Sequence, residues 1–210
     1  MYNMIDSSIF RYPFYILGHP IEGYEELRWN KKGSLLISNI ILFLWFFAVV
    51  FAWQDTGFIF NGSRPDKLNI LLILSSTIGL FALWAMVNWS LCTLMDGEGR
   101  FKDIWVISSY ALLPYVLISY IITILSNILV LDEGVFLQYL NIIAVGWSIC
   151  LLVSGMKVIH QYSLKKTIIS LFFTLLGMSV VIILAVLVLS LFMQVYGFFN
   201  SIYSEIRFRL

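Results

Sequence analysis

Charged residues are scarce in this 210-residue chain, since Asp, Glu, Lys and Arg together make up only 12% of it. Soluble domains carry about 25% charged and about 45–50% apolar residues, whereas 60% of this chain is hydrophobic. Polar groups could not cover a surface of that composition in water, so the sequence predicts an integral membrane protein. The net charge of +1 and the lack of a basic arm argue against nucleic acid as a partner.

Cysteine and histidine are equally rare, and the motifs of common catalytic and cofactor sites are missing. Cys92 and Cys150 are isolated in apolar runs, and His19 and His160 have no carboxylate or thiol at ligand spacing. The chain has no Gly-rich phosphate loop, nucleophile elbow or His-Glu-x-x-His pattern. We therefore expect no metal, no cofactor and no enzyme activity.

Long apolar runs are what the chain does contain. Five stretches lack Asp, Glu, Lys and Arg, and each has at least the roughly 20 residues that a helix needs to cross a bilayer. A β-barrel is rejected because its strands would alternate over segments of about ten residues. The predicted fold is an all-α, polytopic transmembrane helical bundle, residues 34–210, behind an interfacial amino-terminal segment, residues 1–33. The predicted spans are about 34–54, 68–95, 104–131, 135–156 and 167–196.

The distribution of Lys and Arg predicts the orientation of this bundle. With a cytoplasmic amino terminus, nine basic residues lie on the cytoplasmic side and four on the other. This bias predicts a cell-membrane protein whose amino terminus is in the cytoplasm and whose carboxyl terminus is outside. The cytoplasmic basic residues are Arg11, Arg28, Lys31, Lys32, Arg100, Lys102, Lys157, Lys165 and Lys166, and the outer ones are Arg64, Lys67, Arg207 and Arg209.

The last charge-free run is too long for a single span. Residues 167–204 would form a helix of about 57 Å, against about 30 Å of hydrocarbon. From Phe192 onward the apolar residues keep to one side, which is typical of an amphipathic helix. Two arrangements are open: a bend near Gly197 with an interfacial helix on the membrane surface, or a straight extension packed on its neighbours.

Uncharged polar residues inside the spans are the first candidates for contacts between helices. Asn88, Asn127 and Asn141 are expected to form interhelical hydrogen bonds rather than substrate contacts. Pro114 interrupts the third span and predicts a kink. A water-accessible cavity around the three asparagines would instead favour transport.

The connection at residues 96–103, with the sequence DGEGRFKD, is the most chemically dense stretch. Its glycines allow a tight turn, and its charges end the flanking helices. The simpler interpretation is a solvated hairpin whose Phe101 enters the membrane interface. The functional interpretation is a docking surface for a protein partner. The candidate docking residues are Asp96, Gly97, Glu98, Gly99, Arg100, Phe101, Lys102 and Asp103.

Three stretches resemble bacterial members of the Ypt-interacting-protein (YIP) membrane family: GHPIEGYEELRWNKKGS, NWSLCTLMDGEGRFKDIWVISSYALLPYVL, and HQYSLKKTI with the downstream EIRFR. The most specific piece, residues 88–114, adds Tyr110 to Asn88 and Pro114 as candidate intramembrane contacts. The resemblance implies five spans, a cytoplasmic amino terminus and an exported carboxyl end. Eukaryotic relatives bind Rab-type GTPases. Here Ser109 replaces the family's glycine before the tyrosine and the Asp-Leu-Tyr-Gly-Pro motif is absent, so Rab binding is not implied.

Together these features favour a non-enzymatic membrane protein that assembles with other membrane proteins or organises the bilayer. Its cytoplasmic face would consist of the loop 96–103 and the amino-terminal segment. The alternative is a transport component, either a small permease or an accessory subunit of a transporter. The lipid bilayer and other membrane proteins are the expected partners.

Overall fold

Helices account for every regular element in the computed structural model, which describes residues 7–62 and 68–209. Arg64 and Lys67, two of the predicted outer basic residues, lie outside the described residues. The elements in chain order are α1 (Ser7–Gly18), α2 (Pro20–Trp29), α3 (Leu35–Asp55), α4 (Ile70–Leu74), α5 (Leu80–Leu94), α6 (Phe101–Ala111), α7 (Leu113–Leu125), α8 (Gly134–His160) and α9 (Leu164–Arg209).

Five helical stretches are long and apolar enough to cross a bilayer, which confirms the predicted all-α fold with five spans. The second span combines α4 with α5, and the third combines α6 with α7. Many large apolar side chains on these stretches are exposed, as expected where lipid is the solvent. The bounds of the spans are Leu35–Asp55, Ile70–Leu94, Phe101–Leu125, Leu131–His160 and Leu164–Glu205.

Two of the spans contain a break in the regular helix. In the second span a π-helical turn, Ser75–Gly79, separates α4 from α5. The Thr77 hydroxyl in this turn donates to the Ile73 carbonyl at 2.7 Å, and such bonds compete with regular main-chain hydrogen bonding. In the third span the break falls at Leu112. Pro114 then lies in the first turn of α7, where the missing N–H of proline has no helical partner to lose.

The hydrophobic core joins the amino-terminal segment to the spans. Tyr24 on α2 is fully buried against α8 (0% exposed). Gly155 on α8 permits this approach, since an added Cβ would lie 2.3 Å from Ile107 Cγ2 and 3.2 Å from Tyr24 Cε2. The predicted interfacial segment is therefore part of the folded core. The buried core residues around it include Ile16, Leu27, Ile104, Ile107, Met156 and Ile159.

The last helix, α9, is continuous over 46 residues, so the expected bend near Gly197 is wrong. Packing of the extension on its neighbours is also wrong, because residues 179–205 are all exposed. Contact with the bundle comes from the first turns of α9, where Thr167 and Thr174 are buried. A single glycine costs a helix only about 1 kcal/mol, so one glycine does not have to end a helix of this length.

Replacing Gly155 with leucine should destabilise the bundle, whereas the same change at Gly146 should not. A side chain at position 155 would overlap Ile107, and such overpacking costs about 1–3 kcal/mol. An added Cβ at Gly146 meets nothing within 4 Å, so that leucine would face lipid. Thermal unfolding of both variants in detergent, followed by fluorescence-detected gel filtration, measures the difference. Equal melting temperatures would contradict the described packing of α8.

Candidate functional site

The loop 96–103 folds back onto the end of α8 and covers His160. Gly97 and Gly99 lie so close to the imidazole that an added Cβ would be 2.6 Å from Nδ1 and 2.7 Å from Cε1, respectively. The positive φ in this turn, 60°, belongs to Asp96 and not to a glycine. The two glycines are therefore needed for close approach to His160, and not for the tight turn that the sequence suggested.

Arg28 on α2 connects this loop to the carboxyl end of α8. Its guanidinium donates to the Val158 carbonyl at 2.9 Å and to the Ile159 carbonyl, and it pairs with the Glu98 carboxylate. The last carbonyl groups of a helix have no partner within the helix and form the negative end of its dipole, so a cation is favoured there. Arg28 is 13% exposed and Glu98 is 63% exposed, so solvent screens the ion pair. We call these four residues the Arg28 contact.

A buried polar chain starts at His160 and crosses to α9. The imidazole is 2% exposed, and its Nε2 lies 3.4 Å from the side-chain oxygen of Asn88. The Asn88 amide in turn donates to the Thr174 hydroxyl at 3.1 Å. Because the oxygen of Asn88 can only accept, we assign the imidazole proton to Nε2. The other nitrogen, Nδ1, is then a buried acceptor without a hydrogen-bond partner among the described residues.

Tyr162 closes the other side of the histidine. Its ring stacks on that of His160 at a centroid distance of 5.3 Å. Its hydroxyl lies 3.1 Å from the Cys92 carbonyl and 3.0 Å from the Met95 carbonyl, at the carboxyl end of α5. Burial raises the pKa of Tyr162 to about 12, so the phenol stays protonated and can donate. We call Asn88, Gly97, Gly99, His160 and Tyr162 the His160 cluster.

The remaining loop residues divide into exposed charges and a half-buried aromatic ring. Phe101 packs against Trp89 and Trp105, with ring centroids 6.2 Å and 5.9 Å away, so much of its surface is already covered. The Arg100 guanidinium pairs with the Asp103 carboxylate at 2.8 Å. The candidate docking residues thus share one face with the amino-terminal segment, to which the Arg28 contact ties them. The exposed charged residues of the loop are Asp96, Glu98, Arg100 and Lys102.

The other candidate intramembrane residues are spread over the bundle. Tyr110 is 1% exposed, and its hydroxyl accepts a backbone N–H at the start of α3 at 3.2 Å. The Asn127 amide donates to the Asp55 carbonyl at 2.7 Å, at the opposite end of α3. Asn141 is exposed and lines a cavity at that same end. The structure therefore does not bring Asn127 and Asn141 together with Asn88.

This cavity, of about 550 Å³, opens between α3, α7 and α8. We call it the Gln138 cavity. At 1.5 Å per residue, Gln138 lies about 33 Å along α8 from His160, so the cavity is at the other end of α8 from the His160 cluster. None of its described lining residues is charged. Sequence reasoning selected Asn141 but not the hydroxyl groups opposite it. The sequence signal that could have found this cavity is the spacing of Gln138 and Asn141, which places two amides on one helix face. The polar lining residues are Thr56, Tyr115, Ser119, Thr123, Ser126, Gln138 and Asn141.

The family model described as the Yip1 domain matches residues 14–186, which is well over half of the chain. No significant match was found to a curated protein or to a solved structure. The matched range contains the Arg28 contact, the His160 cluster and the Gln138 cavity. Residues 187–209, which we call the distal segment of α9, lie beyond it.

Replacing Arg28 with glutamine should loosen the loop 96–103 and the end of α8 together. Hydrogen bonds from a charged donor contribute about 1.5–3 kcal/mol each, so we expect a loss of about 2 kcal/mol in stability. The Gly97 N–H, which donates to the Cys92 carbonyl at 2.7 Å, should exchange with deuterium faster. Hydrogen exchange with mass spectrometry measures this, with the exposed Lys31→Gln variant as the matched control. Identical loop exchange in the two variants would contradict the assignment.

Proposed function

Because this chain belongs to the Yip1 domain family, we propose that it is a non-enzymatic, multi-pass membrane protein that assembles with other membrane proteins. The observation that carries the proposal is the exposed distal segment of α9. Every described side chain from position 187 to position 205 is exposed, and most of them are apolar. Apolar side chains as exposed as these have to be covered by lipid or by protein. The length of α9 and the residues on one of its faces support protein.

The length of α9 exceeds what a bilayer can cover. Its 46 residues extend about 69 Å, whereas a bilayer with its headgroups is about 40–45 Å thick. A tilt of about 40°, the upper end of the observed range, still leaves about 53 Å along the membrane normal. Even at this tilt Phe198 and Phe199, which are 63% and 64% exposed, lie about 39–40 Å along the normal from the start of α9, beyond the roughly 30 Å of hydrocarbon. Contact of these rings with water is unfavourable, and a protein partner removes it.

One face of the distal segment suits a neighbouring helix. Five small or polar residues follow one another there at alternating spacings of four and three residues. A 3.5-residue period forms a continuous stripe along a helix, and small residues let helices approach closely in membranes. An added Cβ at Gly197 meets nothing within 4 Å, so the stripe is open to a partner. The stripe consists of Ser190, Gln194, Gly197, Ser201 and Ser204.

The proposed cytoplasmic face is the surface shared by the amino-terminal segment and the loop 96–103. The excess of Lys and Arg at this end of the bundle supports a cytoplasmic position. It follows that the distal segment of α9 lies on the outer side of the cell membrane. Rab-type GTPases are not among the proposed partners, because the site of the family's glycine is occupied by Ser109, whose hydroxyl is bonded to the Val106 carbonyl at 2.8 Å.

Transport is the rival interpretation. It predicts one water-accessible cavity around Asn88, Asn127 and Asn141. Asn88 lies in the His160 cluster, whereas Asn141 lines the Gln138 cavity, and the two sites are about 30 Å apart along the bundle. The Asn127 amide is occupied by the Asp55 carbonyl. We therefore retain assembly as the proposed function.

Cysteine labelling tests the proposed orientation. In a chain whose Cys92 and Cys150 are replaced by alanine, a cysteine at Lys102 should react with an impermeant maleimide only after the cells are permeabilised. A cysteine at Ser204 should react in intact cells, and so should the control cysteine at Gly62. Lys102, in the first turn of α6, and Gly62, in the connection before α4, are exposed at opposite ends of the second span. Labelling of positions 102 and 204 from the same side would overturn the orientation.

Photo-crosslinking in native membranes tests assembly. A benzoylphenylalanine at Phe199 should form discrete adducts with protein, because we place this residue against a partner. The matched control is Phe172, a similarly exposed phenylalanine (59%) in the part of α9 that lies within the bilayer. A probe there should give mainly lipid adducts.

A second pair of variants tests whether the stripe forms the contact that gives the protein adducts of the Phe199 probe. Gly197→Leu should reduce the protein adducts of the Phe199 probe several-fold, whereas Gly146→Leu, on the lipid-facing side of α8, should leave them unchanged. Neither glycine has a neighbouring atom within 4 Å of an added Cβ, so both variants should fold. If the Phe199 probe captures only lipid, assembly through this segment is excluded and bilayer organisation takes its place.

A further inference from the structure

Two hollows lie along the same face of α8 and meet at Tyr115. The first is the Gln138 cavity, and the second is a pocket of about 250 Å³, which we call the Ser148 pocket. Tyr115 lines both, so they adjoin at this ring, and we call the two together the groove. Along α8 the groove runs from Gly134 to Leu152, about 27 Å at 1.5 Å per residue. This length is close to the roughly 30 Å thickness of the hydrocarbon core.

The Gln138 cavity offers hydrogen bonds but no charge. The amides of Gln138 and Asn141 make no hydrogen bond with the other described residues, and an amide without a partner is unfavourable at membrane depth. The hydroxyls of Thr56 and Ser119 donate to carbonyls of their own helices, which leaves their oxygens able to accept. A ligand here should therefore be uncharged and should carry both carbonyl and hydroxyl oxygens.

The Ser148 pocket has the opposite character. Apart from Tyr115, which it shares with the Gln138 cavity, its hydroxyl-bearing residues are Ser108, which already accepts from the Trp84 indole at 3.1 Å, and Ser148. The Ser148 hydroxyl is buried without a partner among the described residues and can donate to a carbonyl that reaches it. The rest of the lining suits an alkyl chain. These apolar residues are Ala111, Leu112, Val145, Ile149 and Leu152.

We propose that the groove binds one lipid with an uncharged glycerol-ester head. The head lies in the Gln138 cavity, where the two amides donate to the ester carbonyl and to a glycerol oxygen, and a glycerol hydroxyl donates to Thr56 or Ser119. The acyl chain passes Tyr115 and lies in the Ser148 pocket. A charged headgroup is disfavoured because no described lining residue would neutralise it. A soluble polyol shares the chemistry of the head but would leave the Ser148 pocket unfilled. This site is independent of the proposed assembly through α9.

The test uses the full-length protein in nanodiscs of phosphatidylcholine that contain a trace of monoacylglycerol with a diazirine at the end of its acyl chain. After irradiation, the label should be found on peptides that contain residues 108–115 and 145–152. Unlabelled monoacylglycerol should compete with the probe, and free glycerol should not. Competition by glycerol alone would assign the cavity to a soluble ligand and overturn the lipid proposal.

Two variants make the test specific for the groove. Replacing both Gln138 and Asn141 with leucine should reduce the label about tenfold, since two hydrogen bonds to the head are lost. The control replaces the exposed Asn200 with leucine on the distal segment of α9, outside the stripe, and it should not change the label. Equal labelling of the double variant and the wild type would overturn the proposal.

A third variant blocks the chain end of the groove. Val145 is 38% exposed, so Val145→Trp should fill the Ser148 pocket without disturbing the core. The label on residues 108–115 should disappear while the melting temperature stays the same. Label that persists there in the stably folded variant would contradict the position of the acyl chain.

Discussion

The carbonyl groups at the carboxyl end of α8 need hydrogen-bond donors, and Arg28 of the amino-terminal segment supplies them. This interaction fixes α2 against α8, and the same guanidinium holds Glu98 of the loop 96–103. The loop in turn covers His160, which is possible because Gly97 and Gly99 carry no side chain. Much of the architecture at this end of the bundle therefore depends on one cation at the end of one helix.

The two ends of the bundle differ in how completely they are closed. At the Arg28 end, polar groups from α2, α5 and α8 are bonded to one another, and the surface is charged. At the other end, the Gln138 cavity is open between three helices. The first turns of α9 pack antiparallel to α5, with Thr174 bonded to Asn88 and Gly177 beside Val87, so the exposed distal segment extends towards this second end as well. The Gln138 cavity and the exposed distal segment of α9 thus lie towards the same end of the bundle.

The spans and the all-α class could be predicted because charge-free runs of sufficient length have few other solutions in a bilayer. The break near Pro114 could be predicted for a similarly local reason. The π-helical turn at Ser75–Gly79 could not, because hydroxyl groups in spans commonly bond to their own helix without breaking it. The Arg28 contact and the Gln138 cavity could not be predicted either, since each depends on residues that are distant in the chain. Arg28 and Glu98 are 70 residues apart, and no local pattern pairs them.

The Arg28 contact also constrains the order of events during synthesis. Arg28 and its carbonyl partners are separated by 130 and 131 residues. At about 5–20 residues per second, a ribosome needs about 7–26 s to make the chain between them. Three spans are completed in this interval and the fourth is still being made, so α2 lacks its binding site on α8 throughout. Docking of the amino-terminal segment is therefore a late step of biogenesis, and it can occur only once the fourth span has been inserted.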